Sequence, residues 1–279
     1  MALFRDLTDV ILHGESGDPG CQSVSLECSA DEITHSSCDE DFVAYLGLMN
    51  QSFSATATFA GGALLLRDIG DMKLGSKPMK HALTAELVEM SEEITGGDDG
   101  DCFLTFVGVT KRQVEVTATF RDVIDGKTFS KGETDTFSVT ARSGSSTSFV
   151  PCPPLSGKTF TAAAMTVTAL SCTATHGELA EFSVTMKSAT EAGSAGFTGS
   201  VLTGEIRVGE CGDLTWKKRS VGGYSDCDTG KSYEGSDETF TLSPTVATER
   251  RVSLSHGEMT TESISVRAYS TDGLMSPLS

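Results

Sequence analysis

The sequence predicts a mainly β protein, and three observations predict it. Serine and threonine each occur 34 times in 279 residues, beside 29 glycines, a composition that suits strands and turns better than helices. Apolar and polar residues alternate with period two in five short runs, the signature of strands with one buried and one wet face. A strand, a Gly-Glu turn and a second alternating strand also recur along the chain, at irregular spacing but in two copies at a fixed offset of 80 residues, as a reused β-hairpin does.

The alternating runs, in chain order, are Phe53 to Phe59, Val114 to Phe120, Phe137 to Arg142, Phe182 to Lys187 and Ile264 to Ala268. Their polar positions are mostly Ser, Thr, Arg and Lys, which solvate a sheet face turned to water or to a wide cavity. One segment breaks the alternation. Met79, Leu83, Leu87, Met90 and Ile94 recur at spacings of four, four, three and four, which predicts an amphipathic helix over 78–94. Pro78 suits its first turn, Gly96-Gly97 its stop, and Lys80, Glu86, Glu89 and Glu93 its wet face.

The repeat sets Thr159-Phe160-Thr161 against Thr239-Phe240-Thr241, His176-Gly177-Glu178-Leu179 against His256-Gly257-Glu258-Met259, and Ser183 to Lys187 against Ser263 to Arg267. Gly132-Glu133, followed by Phe137 to Thr140, reads as a third copy of the same hairpin. The Ser/Gly stretch Ser143 to Ser148, followed by Pro151, Pro153 and Pro154, reads as a linker. The chain is therefore expected to hold two β domains, 1–145 and 146–279, the first with an N-terminal arm over 1–12 and the helix at 78–94, the second a partial duplication of hairpins.

Charge and motifs exclude whole classes of function. A net charge of −18 leaves no basic stripe for specific nucleic-acid binding. The excess is uneven, with 24 acidic and 11 basic residues in 1–145 against 15 and 10 in 146–279. No run approaches the roughly 18 apolar residues of a membrane helix, and Arg5, Asp6 and Asp9 interrupt the start, so a soluble, unexported chain is expected. Eight cysteines, none at CxxC spacing, favour reduced thiols but leave a secreted, disulfide-bonded protein open. The five histidines show no metal-ligand spacing, and Gly126-Lys127-Thr128 and Gly157-Lys158-Thr159 lack the upstream glycine of a phosphate loop. No enzyme, cofactor or metal is expected. The loop carrying Asp98, Asp99 and Asp101 lacks the glutamate that would close a calcium site and reads as an acidic tip facing solvent or a lumen.

The order Val24 to Thr34 (with Asp31-Glu32-Ile33-Thr34), Phe42-Val43-Ala44-Tyr45-Leu46-Gly47-Leu48 and Phe53 to Phe59 resembles the tail-tube proteins of long-tailed bacteriophages and gene transfer agents. The hairpin with Gly177-Glu178 and Phe182 to Thr185 resembles the carboxyl-terminal hairpin of that family, while the tryptophan often found before its Leu-Gly segment is absent here. The resemblance implies two tail-tube-like β-sandwich or barrel-forming domains, edge-to-edge closure into rings, and rings stacked into a tube within a virion tail assembled in the host cytoplasm. The duplication implies trimeric, pseudo-hexameric rings. The expected partners are further copies of the chain and other tail proteins, with no membrane and with DNA passing through without specific binding, so acidic residues should outnumber basic ones on the bore. Phe42, Tyr45, Leu46 and Leu48 are the expected inter-ring or inter-subunit contacts. Two other readings compete: a secreted disulfide-bonded β-sandwich adhesin or binding module, and another virion component such as a capsid-decorating protein.

Overall fold

The computed structural model describes residues 4–16, 21–35, 45–61, 66–98, 101–121, 129–143, 157–188, 196–220, 224–225, 232–233 and 238–279. Every regular element among them is a strand. The N-terminal half holds β1 (Phe4–Leu12), β2 (Glu15–Ser16), β3 (Cys21–His35), β4 (Tyr45–Ala60), β5 (Leu66–Leu74), β6 (Lys77–Pro78), β7 (Ala82–Gly96), β8 (Phe106–Arg121) and β9 (Thr134–Ser143). There follow β10 (Gly157–Thr173), β11 (Glu181–Ser188), β12 (Phe197–Thr198), β13 (Cys211–Ser220), β14 (Tyr224–Ser225), β15 (Ser232–Tyr233), β16 (Glu238–Ser255) and β17 (Thr261–Ala268). All but β14 and β15 belong to one sheet, in which β16 is the branch point. Its first half pairs with β13, its second half with β7, and its opposite edge with β17.

The sheet consists of two copies of one design. The β3–β4 hairpin passes from Ser29↔Ser52 to Asp31↔Met49 across a bulge, and the β7–β8 hairpin passes from Met90↔Gln113 to Glu92↔Thr110 across the same bulge. Of the two residues skipped on the second strand, the first takes a left-handed conformation both times, Asn50 at φ 50° and Lys111 at φ 48°. At the offset that carries Thr159 onto Thr239, the β10–β11 bulge between Val167 and Ala169 matches the β16–β17 bulge between Ala247 and Glu249. The turns that follow need a left-handed residue, which Gly177 (φ 85°) and Gly257 (φ 79°) supply at no steric cost. Strands β4 and β17 pair as β8 and β11 do, and β1 with β13 as β5 with β9.

The copies are nested. One consists of β1 to β4 with β13, β16 and β17; the other, β5 to β11, lies between those halves in sequence. This arrangement does not support two successive domains over 1–145 and 146–279, because strands from both halves alternate through one sheet and one hydrophobic core. Strands β10–β11 and β16–β17 form hairpins with matching bulges, but Gly132-Glu133 belongs elsewhere. Gly132 N–H donates to the Val167 carbonyl as Gly209 N–H donates to that of Ala247, so Gly132-Glu133 is the counterpart of Gly209-Glu210 ahead of β13. Most of the expected linker, 144–154, lies outside the described residues.

The expected helix at 78–94 is also overturned, since residues 82–96 form β7, paired with β8 on one edge and β16 on the other. Ala85 and Leu87 face the core, whereas Ile94, on the expected apolar helix face, is 48% exposed. Two features hid the strand. Glu89 occupies a core-facing position, and the bulge between Met90 and Glu92 resets the alternation, so the apolar residues fall at spacings of three and four. The match of Glu92-Glu93-Ile94-Thr95 to the earlier Asp31-Glu32-Ile33-Thr34 is the sequence signal for a strand.

From β16 the sheet runs through β7, β8, β11, β10 and β9 to β5, which curls back onto the β16–β17 turn. Asp68 N–H donates to the Glu258 carbonyl (2.9 Å) and Thr260 N–H to that of Leu66 (2.9 Å). The enclosed core contains Leu66, Leu87, Val116, Phe137, Phe160, Val184 and Val252, all buried. Asp68 fastens the closure. Its carboxylate accepts from the Ile69 and Gly257 amides and lies 2.8 Å from His256 Nδ1. Partial burial pushes its pKa up, but these amides, His256 and Arg142 outweigh that and hold it below the ordinary range.

Candidate assembly interface

Eight strands, in the order β3-β4-β17-β16-β7-β8-β11-β10, form one continuous surface. Alternation places Ala55, Ala57, Leu87, Val116, Val184 and Ile264 on its core side and, opposite, a hydroxyl-rich side of Ser54, Thr56, Thr58, Thr117, Thr119, Ser183, Thr185, Ser253, Ser263 and Ser265. Hydroxyls bridge neighbouring strands there, Thr56 to Ser265 at 2.9 Å and Thr58 to Ser263 at 3.0 Å. Cations on this side are paired: Lys187 with Glu115 (2.8 Å), Arg251 with Glu86 (2.9 Å) and Glu249 (3.2 Å), and Arg267 with Glu93 (3.1 Å).

Both outer strands of this surface leave edge backbone without a strand partner among the described residues, β3 on the side away from β4 and β10 beyond Thr166. In β3, Ser25 to Ser29 are all exposed, with Leu26 at 40%. In β10, β9 pairs only as far as Thr166, and beyond it Ala169 to Thr173 are exposed, with Leu170 at 43%. Backbone donors and acceptors in a row beside apolar side chains are a template for another strand.

The junction between the two copies, β7 against β16, contains a charged cluster that sequence reasoning did not find. Arg250 and Glu262 are both fully buried and meet at 2.7 Å. Arg250 stacks on the Phe197 ring at 4.3 Å and donates to the carbonyls of Phe197 and Gly199, while Glu262 accepts from Ser200 Oγ and the Val201 amide, both at 2.7 Å. The pair thus fastens residues 197–201 over the junction. Glu89, directly opposite Arg250 in the register, is also buried, with the Val208 amide and the guanidinium groups of Arg250, Arg112 and Arg207 as its polar surroundings. The repeat held the signal for this cluster. The counterparts of Arg250, Glu262 and Glu89 in the other copy are Leu170, Phe182 and Cys28, so charge stands in one copy where the other is apolar.

Burial raises the pKa of Glu89, against the opposing pull of Arg250, Arg112 and Arg207. A carboxyl whose folded pKa is raised contributes most below its unfolded value of about 4.3 and loses that contribution as pH rises through the folded value. Glu89→Gln should therefore match the parent near pH 4 and exceed it in thermal midpoint at pH 8, measured by calorimetry across that range.

The expected contact residues are only partly placed. Phe42 lies outside the described residues; Tyr45 and Leu46 pair with His35 and Thr34 at the start of β4; Leu48 is 52% exposed. Of the acidic loop, Asp99 lies outside the described residues, Asp98 is exposed, and Asp101 turns its carboxylate to the Asp98 amide at 2.8 Å. No group of three or more His, Cys, Asp or Glu among the described residues could hold a metal ion. Cys28, Cys102, Cys172 and Cys211 are free thiols, all exposed. No protein-family model matches the chain, and no curated protein matches it.

Proposed function

We propose that this chain is a structural subunit that closes into rings through its sheet edges and stacks as the tube of a virion tail, a conduit for DNA. One observation carries the reading: a hydroxyl-rich face eight strands wide has an open stretch of strand at each side, on β3 and on β10 beyond Thr166. Such a face tolerates water across its whole breadth, and closure is the way a sheet removes its edges altogether. Two nested copies per chain fit three subunits in a pseudo-hexameric ring. Glu27, Glu86, Glu93, Glu115, Glu181 and Glu249 stand on the polar side against Arg121, Lys187, Arg251 and Arg267, and each of these cations lies beside a carboxylate. A bore with this lining has few free positive charges to grip phosphate.

Concentrated protein viewed by negative-stain microscopy should show rings or tubes of uniform width, and a reconstruction should show a bore with more carboxylates than cations. A protein that remains monomeric at high concentration, or a bore lined by lysine and arginine, would overturn the reading.

A further inference from the structure

We infer that β3 of one copy pairs antiparallel with β10 of the next in the register of the chain's own β7–β16 junction, Ser29 opposite Ala169 and Ser25 opposite Thr173. The inference rests on the ring-forming reading and adds to it the two strands, their register and the chemistry of the seam.

The molecule contains its own template. Strand β7 repeats β3, with Glu92 in the place of Asp31, and β16 repeats β10, with Thr239 in the place of Thr159; the bulges match in both pairs. Inside the chain β7 pairs with β16 from Met90↔Glu249 to Thr84↔Ser255. The corresponding stretches of β3 and β10 are the two unpaired edges. Transferring the register sets Cys28 opposite Leu170, Glu27 opposite Ser171, Leu26 opposite Cys172 and Val24 opposite Ala174. A slip by one residue would turn Leu26 and Leu170 to opposite sides of the sheet.

Side-chain chemistry agrees with this register. Leu26, Cys28, Leu170 and Cys172 correspond to Leu87, Glu89, Arg250 and Val252, all buried on the core side of the internal junction. On the hydroxyl side, Ser25, Glu27, Ser171 and Thr173 extend the polar face across the seam. The two junctions differ in one respect: Arg250 and Glu89 oppose each other inside the chain, whereas Leu170 and Cys28 oppose each other between chains. The seam between copies is apolar where the internal one is charged. Because β3 and β10 are different surfaces, the contact is heterologous and propagates until the ring closes.

The test uses the full chain with Cys172→Ser and Leu170→Cys, leaving native Cys28 as the intended partner across the seam. Leu170 is exposed in the single chain, so the exchange leaves folding intact. Oxidation with copper phenanthroline, which takes up the two electrons the thiols release, should give a covalent ladder on non-reducing gels. Peptide mapping should join positions 28 and 170, and adding Cys28→Ser should abolish that link. Rings or tubes without a 28–170 link overturn the register while sparing the tube reading. A 28–170 link in oligomers that form neither rings nor tubes supports the edge pairing and overturns the ring-and-tube reading. A chain that is monomeric at every concentration overturns both.

Discussion

Arg250→Met is expected to destabilise the folded chain by about 3–5 kcal/mol, because removing one member of a buried ion pair leaves the other charged and unsolvated. Glu262 would keep Ser200 and the Val201 amide but lose its counter-charge, and Glu89 would lose the nearest positive group that moderates its burial. The loss extends to packing. Phe197 and Gly199 would lose the guanidinium that holds their carbonyls, so residues 197–201 should open before the rest of the sheet. The measurement is a urea titration beside amide hydrogen exchange. Arg250→Met with Glu262→Met should be less damaging than the sum of the single exchanges, since the double variant removes both members of the pair and leaves Glu89 as the only carboxyl of the cluster. A single variant within about 0.5 kcal/mol of the parent would show that the pair contributes no net stability.

Leu26→Asp is expected to abolish assembly while leaving the single chain folded. At 40% exposure Leu26 contributes little to the isolated fold, so the midpoint of unfolding should stay within about 0.5 kcal/mol of the parent. At the proposed seam the same side chain would be covered. Covering the exposed two-fifths of it is worth roughly 0.6–1.2 kcal/mol, and a carboxylate there adds the larger penalty of an unpaired buried charge, about 3–5 kcal/mol. Each junction should weaken by more than about 100-fold, since every ~1.4 kcal/mol is a factor of ten. Sedimentation or light scattering across a concentration series would show it, with Leu274→Asp, at an exposed position to which no contact is assigned, as a comparison outside the seam. Equal assembly by Leu26→Asp and the parent would exclude β3 as the joining edge.

Much of the fold was legible one strand at a time. Phe53 to Phe59, Val114 to Phe120 and Ile264 to Ala268 alternate because the pleat sends neighbouring side chains to opposite faces, a local rule that needs no knowledge of partners. The hairpin at Gly257 was legible for the same reason, its turn set by adjacent residues and repeated at Gly177. The strand at 82–96 was not, because a buried glutamate and a bulge mimic helical spacing, and both depend on contacts from elsewhere: Arg250 opposite Glu89, and the skipped Lys111 on β8.

The candidate interface divides in the same way. The sequence alone determined the β class, the hydroxyl-rich polar face, the acidic balance and the duplicated hairpin, since all of these follow from composition and short-range periodicity. Tertiary structure alone decided that the copies are nested, that β16 serves two neighbours along one edge, and that β3 and β10 are left with open edges. Pairing between strands far apart in the chain is selected by the joint burial of many side chains, and no short window carries that information. The same holds for Arg250, an ordinary basic residue in its own strand and a buried anchor only once Glu262 and residues 197–201 close around it.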